Sequence, residues 1–250
     1  MKIVILGSGN VAFHLAKAFY ENNMPVAQIF GRNKNALDEI SRFFNTPYST
    51  ENLADADLYL VAVKDDFISH VSAKIIKKDC IVAHTSGSLP VDVLSGEYRK
   101  ASFYPLQTFS KNKSLNYSEI PIFVESEDEG DQVLLENLAR KISKNVMESD
   151  FEKRKYIHLT AVFSCNFVNH LFARAKEISD AQKIPFDYFL PLIEETTSKI
   201  REMEPKAAQT GPAVRNDTRV LEVHENLILN PEQLQIYRTM NASIKKMYEL

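Results

Sequence analysis

Short apolar runs alternate with segments of helical periodicity through the first 150 residues, and then the runs stop. Ile3-Val4-Ile5-Leu6, Val61-Ala62-Val63 and Ile81-Val82-Ala83 are apolar at successive positions. Runs of that kind predict strands buried on both faces. Strands are expected over 2–7, 25–31, 58–63, 80–84, 101–104, 120–124 and 145–148, with helices over 10–22, 34–44, 67–77 and 131–143. Such alternation predicts an α/β domain built on an open, mostly parallel, doubly wound sheet.

From Phe151 onward no segment reads as a strand. Helical periodicity runs over 151–180, 186–203, 216–226 and 231–248. Asn230-Pro231-Glu232 opens the last of these, with Asn as cap and Pro in the first turn. Two domains are therefore expected, an α/β domain over 1–150 and an all-α domain over 151–250. The helix Tyr156–Ile178 is apolar almost all round between Ile157 and Ala173. It is expected to be buried on most sides. His158, Asn166, Asn169 and His170 fall within about one third of its circumference at 3.6 residues per turn. That polar stripe must find partners. It lines a cleft or crosses a subunit interface, and periodicity does not choose between them. The helices carry more apolar surface than a domain of their size buries alone, so a homodimer through the helical part is expected.

Composition narrows the class. The chain has 250 residues, 44% hydrophobic and 25% charged, with a net charge of −3. Neither a nucleic-acid surface nor a membrane surface is indicated. No apolar run approaches the ~20 residues of a membrane span. The chain enters a strand at once, so no signal peptide is expected. Cys80 and Cys165 both lie in apolar surroundings and read as buried thiols of a cytoplasmic protein. No metal site is expected.

The first strand ends in Gly7-Ser8-Gly9-Asn10-Val11-Ala12, directly before a helical pattern. The first glycine allows a tight turn, the second lets a pyrophosphate approach the backbone, and Ala12 lets the helix pack on the strand. The helix start then offers free N–H groups to phosphate. Gly7, Ser8, Gly9, Asn10 and Val11 are thus candidate dinucleotide contacts. The second strand ends in Gly31-Arg32-Asn33-Lys34. An acid there would take the free ribose of NAD, and none is present. Arg32, helped by Asn33 and Lys34, suits a 2′-phosphate, which favours NADP. Ala62 and Val63 end the next strand and are expected near the nicotinamide, as are Thr85 and Ser86 of His84-Thr85-Ser86-Gly87-Ser88. Ser88, Tyr104, Gln107, Asn169 and Arg215 are candidate substrate contacts. Ser86 and Ser88 also read as helix caps, and Arg215 also reads as an ordinary surface cation. His158 and Asn166 are the candidate catalytic pair, a proton donor near neutrality and an orienting amide.

Taken together, GSGNVA, IFGRN, AVKDD, HTSGS, PLQTF, HLTAVFSCNFVNHL and TGPAVRND resemble the Rossmann-like proteins with a DUF2520 C-terminal domain. These are usually described as NADP oxidoreductases similar to coenzyme-F420-dependent NADP reductases. More distantly, the chain resembles pyrroline-5-carboxylate and ketopantoate reductases and 3-hydroxyacid dehydrogenases. The resemblance implies an N-terminal Rossmann domain binding NADP, a helical dimerisation domain and a cleft between them. The family usually carries His before PLQTF, where this chain has Tyr104. The Lys that 3-hydroxyacid dehydrogenases place one turn from Asn on the long helix is replaced by Val162. The expected activity is hydride transfer between NADP(H) and a small carbonyl or imine substrate, or deazaflavin F420. The alternative is a non-catalytic NADP-binding sensor or scaffold.

Overall fold

The computed structural model describes residues 1–250 and falls into two compact units, Met1–Asn166 and Phe167–Leu250. The first unit holds one eight-stranded sheet in the order β3-β2-β1-β4-β5-β6-β7-β8. Its strands are β1 (Ile3–Leu6), β2 (Val26–Phe30), β3 (Tyr48–Ser49), β4 (Leu58–Val61), β5 (Ile81–His84), β6 (Arg99–Pro105), β7 (Ile122–Ser126) and β8 (Val146–Glu148). All neighbours pair in parallel except β6 and β7, which run antiparallel. The expected fold, a Rossmann-like sheet followed by helices, is the one observed.

The apolar runs are buried on both faces because strand side chains alternate. Ile3, Ile5, Leu58, Leu60 and Ala83 join the core on one side, together with Ala12, Phe13 and Phe19 of α1 (Asn10–Glu21) and Leu37 and Ile40 of α2 (Lys34–Phe44). Val4, Leu6, Tyr59, Val61 and Val82 join the other core, with Ile68 of α3 (Ile68–Ser72). α4 (Glu129–Arg140) closes the first face through Leu135, Leu138 and Ala139.

Several expected elements are shorter or more broken than periodicity suggests. The helix expected over 67–77 is a 3-10 turn at Asp65–Phe67 followed by the five residues of α3. The pairing of β3 extends over two residues, too few to leave an alternating signature. The long helix is α5 (Phe151–Ala161), a π-helical segment at Val162–Asn166, and α6 (Phe167–Ala181). A π segment widens the turn, so positions before and after it do not keep the even 3.6 register assumed for the stripe from His158 to His170.

This helix is not buried on most sides. Tyr156 is 63% exposed, Phe163 63% and Phe167 50%, and Cys165 is an exposed thiol rather than a buried one. Periodicity reports apolar surface; it does not report what covers it. Cys80 is buried as expected.

The second unit contains α6 to α10: α7 (Leu190–Lys199), α8 (Pro205–Ala208), α9 (Thr218–Leu227) and α10 (Pro231–Met247). Asn230 caps α10 by accepting from the N–H groups of Glu232 and Gln233, with Pro231 in the first turn. Within Phe167–Leu250 only Ser179, Ala213 and Leu221 are fully buried. No helix of the chain is long and apolar enough to cross a membrane.

Candidate functional site

The turn after β1 sets the geometry of the site. Gly7 has φ +136°, and a Cβ there would lie 2.1 Å from the Ala62 carbonyl oxygen. Only glycine lets β1 and β4 end this close together. Gly9 precedes α1 without a side-chain cap, and a Cβ on it would meet nothing within 4 Å. The first-turn N–H groups of α1 have no side-chain cap, and the positive end of the helix lies at this turn.

In front of this turn lies a cleft of about 580 Å³. The candidates Gly7, Ser8, Gly9, Asn10, Val11, Arg32, Asn33, Ala62, Val63 and Thr85 all line it. Asn33 also caps α2, accepting from the Ala36 N–H at 3.2 Å. Ser86 is absent from the lining: it is buried, donates to Asp65 Oδ2 at 3.0 Å and accepts from the Ser88 N–H at 3.1 Å. The sequence reading missed Phe30, Thr50, Phe67, His70, Val71 and Lys74, which complete the lining with Gly31 and Lys64. No acidic side chain lines the cleft. Arg32 sits over the Phe67 ring, 5.0 Å from its centroid, a cation–π contact that holds the guanidinium in place.

A second cluster forms where β5, β6 and α5 meet. The Tyr104 hydroxyl lies 2.9 Å from His158 Nδ1. Gly87 packs against this pair: a Cβ there would fall 2.7 Å from Tyr104 Cζ and 2.8 Å from His158 Nδ1. Burial pushes the Tyr104 hydroxyl up to about 12, so it stays protonated and donates near neutrality. When it donates to Nδ1, neutral His158 carries its own proton on Nε2.

One turn before His158 on α5, Arg154 is fully buried. It pairs with Glu125 of β7 and donates to the Leu89 carbonyl at 2.6 Å. Glu125 in turn accepts from the Phe151 N–H at 3.1 Å. This residue ties the helix carrying His158 to the sheet and to the loop carrying Gly87. Sequence reasoning passed over it, although an Arg at i−4 from a candidate catalytic His was visible. His84 is also fully buried, with Nδ1 accepting from the Ser86 N–H at 3.1 Å. Burial, and then the Arg154 charge, drive it down to about 3, against the smaller opposing effect of the Pro90 backbone. It is a neutral structural group that shapes the loop.

Of the remaining candidates, Ser88 is exposed, and Gln107 is exposed with its Oε1 accepting from the Thr108 N–H at 2.8 Å. Asn166 is exposed within the π-helical segment. Asn169 and Arg215 are exposed residues of the second unit.

Residues 2–88 match the family described as NADP oxidoreductase, coenzyme F420-dependent, and residues 120–244 match DUF2520, a domain of unknown function. A Bacteroides fragilis protein provisionally described as an NADP oxidoreductase is 37% identical, with a TM-score of 0.94, covering 100% of this chain and 98% of that one. A Thermotoga maritima protein is 21% identical, with a TM-score of 0.82 and coverage of 99% and 100%. A Myxococcus stipitatus imine reductase in complex with NADP+ shares the fold, with a TM-score of 0.65 at 12% identity over 100% and 92%. No curated protein matches the chain. The chain belongs to the family that joins an N-terminal domain of the NADP oxidoreductase type to a DUF2520 domain.

Proposed function

We propose that the protein is an NADP-dependent oxidoreductase that moves a hydride between NADP(H) and a small carbonyl or imine substrate. The observation that carries this reading is the cleft of about 580 Å³, which runs from an uncapped helix start to Arg32 and is lined by no acidic side chain. The donor set fits NADP: backbone N–H groups for the pyrophosphate, and a forked cation with Asn33 for a 2′-phosphate.

When bound, the cofactor supplies the hydride. The chain supplies position and protons. The α1 N-terminus and Ser8 hold the pyrophosphate, and Arg32 and Asn33 read the 2′-phosphate. Ala62, Val63 and Thr85 line the nicotinamide end. Doubly protonated His158 gives its Nε2 proton to the substrate atom that gains electron density, and the Tyr104 hydroxyl orients the ring through Nδ1. Asn166 orients the substrate.

A second copy of the chain completes the helical unit in this reading. Leu192 is 64% exposed, Leu227 72% and Leu229 92%, more apolar surface than a free unit leaves in water.

Calorimetric titration of NADPH and NADH into the wild type and Arg32→Ala tests the cofactor assignment. Micromolar NADPH binding, much weaker NADH binding and loss of that preference in the variant support it; binding of neither overturns it. NADPH consumption with ketone and cyclic imine panels, compared with His158→Ala, separates an enzyme from a non-catalytic NADP sensor, which would keep binding and show no turnover in either protein.

A further inference from the structure

The sequence assigns the 2′-phosphate to the end of β2 alone, but the cleft has another cationic wall. Phe67, which supports Arg32 at 5.0 Å, begins the segment that carries α3. Phe67, His70, Val71 and Lys74 follow one another at i, i+3, i+4 and i+7, the spacing of a single helical face. The turn keeps helical spacing past α3, with the Lys74 N–H donating to the Val71 carbonyl at 3.2 Å. All four residues line the same cleft as Arg32.

The contact between Phe67 and Arg32 places the start of this face at the Arg32 end of the cleft, and His70 and Lys74 continue from it. Neither His70 nor Lys74 makes an ion pair or a side-chain hydrogen bond, and Arg32 makes no ion pair either. Their N–H donors are uncommitted. A phosphate monoester near neutrality carries close to two negative charges. Lys34, the other cation of the Arg32 loop, does not line the cleft, so one guanidinium leaves part of that charge unmatched.

Resting on the NADP reading above, we infer that His70 and Lys74 form the second half of the 2′-phosphate site and help set the preference for NADP over NAD. The phosphate is held between the Arg32–Asn33 loop and the α3 face. Phe67 has two duties, supporting Arg32 and placing the face that carries the opposing N–H donors.

The test is calorimetric titration of NADPH, NADH and adenosine 2′,5′-bisphosphate into the wild type, His70→Ala, Lys74→Ala, the double variant and Lys77→Ala. Lys77 lies on the same segment but outside the cleft lining. These positions are at the surface, and circular dichroism checks that each variant is folded. Loss of about tenfold in NADPH and bisphosphate affinity in the double variant, with NADH changed less than about twofold, supports the inference. Retention of affinity in Lys74→Arg supports it further. Unchanged NADPH binding in the double variant, equal losses for NADPH and NADH, or an equal loss in Lys77→Ala overturns it. If Arg32→Ala abolishes the preference while the double variant binds as the wild type does, the NADP reading stands and only this inference fails. If the wild type binds none of the three ligands, both fail.

Discussion

The Tyr104 hydroxyl and His158 Nδ1, 54 residues apart in sequence, are 2.9 Å apart in the structure. Tyr104 does not titrate near neutrality. Burial moves its hydroxyl up to about 12, out of the range of acid–base work at pH 7. It stays protonated and orients the His158 ring.

His158→Ala is expected to lower NADPH-dependent turnover by roughly 10²–10⁴-fold, the usual loss with a general acid, while NADPH affinity holds. Tyr104→Phe removes only the group that orients the ring and costs less, about tenfold. Steady-state kinetics on an active ketone or imine, beside calorimetry, check both. Equal rates in wild type and His158→Ala would remove the residue from the mechanism.

Gly87→Ala drives a methyl group into the Tyr104–His158 contact. The nearest atoms, at 2.7 and 2.8 Å, belong to ring side chains whose positions are constrained by packing. Turnover is expected to fall at least about tenfold as the pair separates, with a stability cost of roughly 1–3 kcal/mol. Chemical denaturation and kinetics on one preparation give both numbers.

Gly7→Ala meets a harder obstacle, because the clash at 2.1 Å is with backbone and φ is +136°. The expected cost is roughly 2–4 kcal/mol. A thermal melt then moves down by roughly 5–15 °C. NADPH binding is lost with it, since the same turn floors the cleft. A variant that melts and binds like the wild type would refute this account of the turn.

Acid stability reports on His84. Its imidazole is held down to about 3 when folded, against an ordinary value of 6.5, so below pH 6.5 the unfolded chain takes up a proton that the folded chain refuses. Stability is full above pH 6.5 and falls as pH drops towards 3. Between pH 6.5 and 4.5 this group alone removes about 2–3 kcal/mol. Denaturant melts at the two pH values measure it, and His84→Gln is expected to show a smaller acid loss than the wild type.

Light scattering at micromolar concentration is expected to give the mass of two chains. A surface Leu227→Glu, Leu229→Glu variant is expected to shift that mass towards one chain, because charge on a docking face costs association. A monomeric wild type would sink the dimer proposal.

Much of this protein was legible in the order of its residues. Ile3 to Leu6 could only be a strand buried on both faces, since four apolar positions in a row leave no polar side for water. Gly7 marked a tight turn because its backbone geometry excludes other residues, and Arg32 without a neighbouring acid pointed to NADP for reasons of charge alone. These are local facts, and local chemistry fixes them.

Tertiary structure decided the rest. Ser86 and Thr85 are adjacent, yet one is bonded inward to Asp65 and the other faces the cleft. His70 and Lys74 line the same cleft as Arg32, which lies on another element. Arg154 gained its importance from Glu125 and Leu89, which lie on other elements. The long apolar helix was read as buried, and the fold exposes it. A sequence records which surfaces seek partners by their polarity; which atoms meet them is set by chain geometry over distances that no local pattern encodes.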